Sequence, residues 1–298
     1  CCYRQCCRGI HFFLFFLIFS LLFPFFNAAA AEYPNAALLA ETEWLSKNLN
    51  DSNIRVVDLR SSASYMKGHI KNAVPFSHEL VTTTRNGVKG MVADKEAVEQ
   101  ALERLGISSN TKLIFYDDAD SKWATYMFWV MEYHGHKNVA VLNGGWQKWE
   151  AEKRPLSTDI PKVKAVSFKA KIDKNKIVDT EWVKNNINNP KVKVINVRPD
   201  KDYIDGHISG TINIPWLENL QGAGVKVLKS KDELMQIYDK ENGIKKDDTV
   251  ISSCMFGILA GGTYFTLRLL DYKDVKLYDG SQSDWVAKGN SLKAGKER

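Results

Sequence analysis

The chain has 298 residues, of which 44% are hydrophobic and 26% charged, and it carries a formal net charge of +6. That length holds about two domains, and the composition is that of an ordinary globular protein, not of a disordered or disulfide-dense one. The positive surplus is mild and the lysine runs at 162–176 and 288–298 are solvated surface, with no footprint of basic residues interleaved with aromatics, so no nucleic-acid partner is expected.

In chain order, Arg4 and Arg8 precede an apolar run of 15 residues at 12–26, and Asn27-Ala28-Ala29-Ala30-Ala31 follows with small residues suited to cleavage. Residues 1–31 therefore read as a secretory signal peptide. The run is interrupted by Pro24 and is short for a membrane span of about 20 residues. The mature protein is expected to be secreted or periplasmic, with no stable membrane anchor after signal cleavage. Of the five cysteines, Cys1, Cys2, Cys6 and Cys7 precede the run, which leaves Cys254 alone in the mature chain. A lone thiol in an exported protein, with no internal disulfide to form, invites a functional reading.

The rest is a repeat. Thr42-Glu43-Trp44-Leu45 returns as Thr180-Glu181-Trp182-Val183, an offset of 138. Val56-Val57-Asp58-Leu59-Arg60 returns as Val194-Ile195-Asn196-Val197-Arg198, and Tyr65-(x)2-Gly68-His69-Ile70 as Tyr203-(x)2-Gly206-His207-Ile208, both at the same offset. Leu142-Asn143-Gly144-Gly145-(x)3-Trp149 returns as Tyr278-Asp279-Gly280-Ser281-(x)3-Trp285, at an offset of 136. Four blocks in register mean two copies of one domain. The division reads as domain 1 at 32–152, a connector at 153–176 rich in lysine with Pro155 and Pro161 on or beside it, and domain 2 at 177–298.

Each copy predicts the same series. A short helix opens with Thr42 or Thr180 as N-cap. A strand follows at 55–59 or 193–197, then a Gly-His-Ile loop and a short strand near 73–76 or 211–215. Helices are predicted at 95–105 and 231–238, strands at 112–116 and 249–253, helices at 123–133 and 262–270, and last strands at 139–142 and 275–278. Strands alternating with helices predict an α/β fold, each domain a parallel sheet flanked by helices on both faces. Ligands of such sheets sit beyond the carboxyl ends of the strands.

Cys254 falls at such an end. The strand at 249–253 runs into it, the loop Met255-Phe256-Gly257-Ile258-Leu259 follows, and a helix begins near Ala260. A thiolate there is stabilised by the helix N-terminus and by unpaired N–H groups, which makes a nucleophile or a sulfur carrier. The plainer alternative is a buried structural cysteine. His69 and His207 recur in matching elements, so both read as structural. No histidine has metal-ligand spacing with Cys254, and no metal is expected. Trp123, Phe128, Trp129 and Tyr133 fall at helical spacing and read as core or domain interface.

With these residues in view, the chain resembles the tandem-domain rhodanese family of sulfurtransferases. The likeness rests on Val-Arg-(x)4-Tyr-(x)2-Gly-His-Ile at 197–208, Cys254 with its six-residue loop before the helix, Tyr-Asp-Gly-Ser-(x)3-Trp at 278–285 and Val-Leu-Asn-Gly-Gly-(x)3-Trp at 141–149. The resemblance implies that domain 2 is catalytic through Cys254. It implies that domain 1, with Asp117 at the cysteine position, is a non-catalytic wall of the substrate cleft. It also implies a Cys254 persulfide formed from a small sulfur donor and discharged to a thiophilic acceptor, with no cofactor. Thiosulfate, 3-mercaptopyruvate or a persulfide, including one borne by a protein, are the donors it suggests.

The substrate-binding residues expected on this reading are Met255, Phe256, Gly257, Ile258, Leu259 and Arg198, although Arg198 also reads as a tie for the strand end. The sequence departs from the family where thiosulfate-specific members carry Arg and Lys after the cysteine and mercaptopyruvate-specific ones Gly and Ser. Here Met255 and Phe256 stand there, Leu259 replaces a usual Thr, and Asp202 replaces a basic residue. The pocket is expected to be apolar with an acid at its rim, and thiosulfate turnover weak. A rhodanese-fold phosphatase is rejected, because residues 255–260 contain no arginine to bind a phosphoryl group. A disulfide oxidoreductase lacks a Cys-x-x-Cys pair. The remaining rival is a non-catalytic module that binds a partner or senses redox state.

Overall fold

The runs Val56-Val57, Ile114-Phe115, Val194-Ile195 and Val250-Ile251 are buried, as expected for strands of a parallel sheet covered on both faces. A computed structural model describes residues 33–108 and 110–297, and the signal peptide predicted at 1–31 lies outside them. The first sheet has the order Leu39–Ala40, Val139–Leu142, Lys112–Tyr116, Ile54–Asp58, Val74–Pro75, and all its pairings are parallel. The second repeats it as Ile177–Val178, Asp274–Tyr278, Thr249–Ser253, Val192–Asn196, Ile212–Asn213. Lys112–Tyr116 and Thr249–Ser253 are the central strands, so Asp117 and Cys254 leave their sheets at matching places.

The two copies pack through the Lys122–Tyr133 and Ala260–Leu269 helices. Both are apolar nearly all round because both lie inside the molecule. The approach is close enough that a Cβ on Gly261 would lie 2.7 Å from the Tyr126 backbone. Phe128 and Phe265 meet edge to face at 5.0 Å. Arg268 crosses the interface to Glu132, with both bonds at 3.0 Å, and Tyr264 donates to the same carboxylate at 2.6 Å.

Two hairpins clasp the copies together. Thr82–Arg85 pairs with Val88–Val92, and Leu220–Gln221 with Val227–Leu228. Val92 N–H donates to Asp279 Oδ2 of the second copy at 2.9 Å, and Leu228 N–H donates to Asn143 Oδ1 of the first at 3.1 Å. Residues beyond Glu152 run along the first copy. Leu156–Ser157 pairs antiparallel with His69–Ile70, and Lys171 N–H donates to His134 O at 3.0 Å.

The helix starts differ from the sequence expectation. Thr42 and Thr180 are the first helical residues, and the N-caps are Glu41 and Asp179. Asp179 accepts from Trp182 N–H at 2.8 Å, while Thr42 turns inward to Glu152 at 2.6 Å and Thr180 turns to Tyr278 and Asp284. In the second copy the carboxylate one residue earlier reaches a free N–H group, so the hydroxyl is left to pack; in the first, Glu41 caps without a side-chain bond, its carboxylate bonded to Asn143 and Lys148 instead.

Candidate active site

Cys254 follows the last residue of its strand and is 4% exposed. The turn after the neighbouring strand seats its loop. Cys254 N–H donates to Ser281 Oγ at 3.0 Å, Gln282 N–H donates to Cys254 O at 3.2 Å, and Ser283 N–H donates to Met255 O at 3.0 Å. Gly257 lies within the loop with φ +83°, against the turn that follows the neighbouring strand, and a Cβ there would sit 2.2 Å from Asp279 O, so only glycine fits. Held this way, the loop leaves the N–H groups of residues 255–259 with no acceptor among the described residues. Successive free N–H groups of this kind can form an anion nest.

The first copy shows what such a loop can hold. The buried Asp117 carboxylate accepts N–H bonds from Ala119 at 2.8 Å, Ser121 at 3.0 Å, Trp123 at 2.8 Å and Ala124 at 2.8 Å. Burial pushes its carboxyl up, and these four bonds oppose the shift. Asp117 O accepts from Trp146 N–H at 2.9 Å, the same bond that Gln282 makes to Cys254. An aspartate thus fills with its own carboxylate the place where the second copy has a thiol and open N–H groups.

A cavity of about 390 Å³ opens at Cys254. From the second copy, Met255, Phe256, Ile258 and Leu259 form its apolar wall, and Arg198 and Asp202 line it too. Lys122 and Trp123 line it from the first copy. The Trp123 ring stacks on His78 at 3.5 Å, and the Lys122 ammonium lies 4.4 Å from the Trp123 centroid. Phe256 is 45% exposed, so part of the wall is open to solvent. Arg198 is tied down by bonds to Gly206 O at 2.9 Å, Asp202 O at 2.7 Å and Gln282 Oε1 at 2.6 Å.

Sequence reasoning thus found one wall and missed the other. Of the expected site residues, all but Gly257 line the cavity with Cys254, and Gly257 shapes the loop from within. Trp123 was read as core or interface, yet it lines the cavity, unlike the fully buried Phe128 and Trp129. Lys122 and Gln282 gave no signal, because what places them is domain packing and the loop's seat. His69 and His207 bridge backbone carbonyls, His69 to Tyr65 and Asp159, His207 to Tyr203 and Glu297. Among the described residues no group of three or more His, Cys, Asp or Glu is placed to hold a metal ion.

Comparison with known proteins agrees with this architecture. The model of the rhodanese-like domain family matches residues 41–152 and again 179–288, and the chain belongs to that family. A relative from Thermus thermophilus, sulfur carrier protein TtuD, is 31% identical over 280 residues, covering 85% of this chain and 95% of the relative. The 3-mercaptopyruvate sulfurtransferase of Escherichia coli is 27% identical, covering 83% and 94%, and the thiosulfate sulfurtransferase of Rattus norvegicus is 26% identical, covering 86% and 97%. The crystal structure of SseA, a 3-mercaptopyruvate sulfotransferase from Escherichia coli, superposes with a TM-score of 0.74 at 27% identity, covering 82% of this chain and 98% of that one. An anaerobic ergothioneine biosynthesis enzyme from Chlorobium limicola shares the fold, with a TM-score of 0.80 at 22% identity, over 88% of this chain and 71% of that one.

Proposed function

We propose that the chain is an exported rhodanese-type sulfurtransferase that carries a sulfane sulfur on Cys254. The observation that supports this most is the set of free N–H groups at residues 255–259 directly after a cysteine that lines a cavity, in the position where the first copy's Asp117 gathers four N–H bonds.

In the first step the Cys254 thiolate attacks the outer sulfur of the donor. A Cys–S–S⁻ persulfide forms, the donor's bond to that sulfur breaks, and the leaving group departs with the electron pair. In the second step a thiophilic acceptor, such as cyanide or a thiolate, attacks the same outer sulfur and releases the Cys254 thiolate. The loop N–H groups hold the negative sulfur in both forms, which is the preorganised stabilisation such chemistry needs.

Donor choice follows from the wall. Met255 and Phe256 offer no charge to a small dianion, and the cavity of about 390 Å³ is roomy for one. The reading favours an organic persulfide, free or borne by a protein, over thiosulfate. Steady-state turnover with each donor tests it: a persulfide is expected to outperform thiosulfate, and Met255→Arg with Phe256→Lys is expected to raise thiosulfate kcat/KM about tenfold or more through charge-assisted bonds. Equal turnover of both donors by the wild type counts against it. Export rests on the apolar run at 12–26 and is checked by sequencing the N-terminus of the protein recovered from the periplasm or medium.

A further inference from the structure

The two copies treat the same arginine differently. In the first, Arg60 donates through Nε and Nη2 to Asp58, the shortest bond being 2.7 Å, and through Nη2 to Gly68 O at 2.7 Å. Its guanidinium also lies 3.5 Å from the Trp146 ring centroid. Tyr116 donates its hydroxyl to the same Asp58 carboxylate. The charge is neutralised where it stands, and Asp58 holds the Arg60 pKa above its usual value even though burial lowers it.

In the second copy each side-chain partner is exchanged. Asn196 stands for Asp58, Ser253 for Tyr116 and Gln282 for Trp146. The equivalence is secured by shared bonds. Asn196 Oδ1 accepts from Arg198 N–H at 3.1 Å, as Asp58 Oδ1 accepts from Arg60 N–H at 2.9 Å. Arg198 reaches Gly206 O as Arg60 reaches Gly68 O. The Arg198 guanidinium is left with neutral acceptors only: Gly206 O, Asp202 O and Gln282 Oε1. Arg198 is 8% exposed. A buried charge without a directly bonded ion partner is costly, and Arg198 lines the same cavity as Cys254, one of the groups acting on its charge.

We propose that Asn196, by withholding the carboxylate its counterpart Asp58 supplies, leaves the Arg198 guanidinium with no directly bonded carboxylate and its charge available to the Cys254 thiolate, and that Gln282 fixes the pair. Gln282 suits that task because its side chain holds the guanidinium and its N–H holds Cys254 O. Arg198 is then a positioning residue that favours thiolate and persulfide electrostatically. The other charged groups around it are Asp202 and Asp205 on its own side, and Lys122 across the cavity. Burial lowers the Arg198 pKa, while Asp202, Cys254 and Asp205 push it up.

The role of the thiolate rests on the proposed function, but its ionisation does not need a sulfur donor to be measured. The experiment is the pH dependence of iodoacetamide alkylation at Cys254, with thermal unfolding measured beside it. Asn196→Asp installs the first copy's ion pair and is expected to raise the thiol pKa by about one unit. Alkylation below both pKa values then falls about threefold, because tenfold less thiolate is partly offset by its greater nucleophilicity. Arg198→Gln is expected to shift the titration the same way. An unchanged titration in either folded variant overturns the proposal. Should Cys254 ionise as expected yet accept no sulfur from any donor, the sulfurtransferase reading fails and the electrostatic one stands.

Discussion

Val92 N–H donates to Asp279 Oδ2 at 2.9 Å, which joins the first copy's hairpin to the turn that seats the cysteine loop. Asp279 is 2% exposed, and its other carboxyl oxygen has no hydrogen-bond partner. Burial pushes this carboxyl up to about 7, against the lowering effects of Val92 N–H and Arg85. A carboxyl whose folded pKa lies above its unfolded value stabilises the fold fully below the unfolded value. That contribution is lost as pH rises through the folded pKa, here from the ordinary 3.8 to about 7. Asp279→Asn keeps an oxygen for Val92 and removes the titration. Its stability relative to wild type is expected to rise as pH increases from about 4 to about 8, read by thermal unfolding. Parallel curves for the two proteins would contradict this.

Gly257→Ala tests the loop from within. The new Cβ would meet Asp279 O at 2.2 Å, on a residue with φ +83°. The neighbour is backbone and cannot turn aside, so the loop must shift. A loss of about 1–3 kcal/mol of stability is expected, together with sulfur loading that falls much further than the fold does. A variant that loads sulfur at the wild-type rate would show that the loop geometry is not needed.

The Glu132–Arg268 pair joins the two copies, with side chains 7% and 21% exposed. Glu132→Gln leaves Arg268 without a counter-ion at the interface. The expected cost is about 2–4 kcal/mol, below that of a fully buried pair because Arg268 keeps some solvent. Denaturant unfolding measures it. A change within experimental error would mean that helix packing alone holds the copies together.

Much of the fold was legible from four repeated blocks, because each block marks a place where chain geometry is fixed: a helix start, a buried strand, a Gly-His turn, a glycine after a last strand. The central strands at 112–116 and 249–253 fall where the apolar runs put them. The edge strands Val74–Pro75 and Ile212–Asn213 fall where short strands were expected, whereas those at Leu39–Ala40 and Ile177–Val178 and both clasping hairpins were not read, since short strands carry little periodicity and the bonds that hold them are long-range. The same holds for the site. Cys254 and residues 255–259 announce themselves by local chemistry, whereas Lys122 and Trp123 reach the cavity only through packing of one copy on the other. The Asp58 to Asn196 exchange was visible in the repeat, but it gained meaning only once Arg60 and Arg198 could be compared in place.

The most direct measurement is the intact mass of the purified protein after mixing with thiosulfate, 3-mercaptopyruvate or a small organic persulfide, beside a Cys254→Ala control. The account predicts a gain of one sulfur atom, absent from the control, removed by cyanide and formed most readily from the persulfide. No adduct from any donor, on a thiol that still alkylates readily, would contradict it and leave a rhodanese scaffold that binds or senses without transferring sulfur.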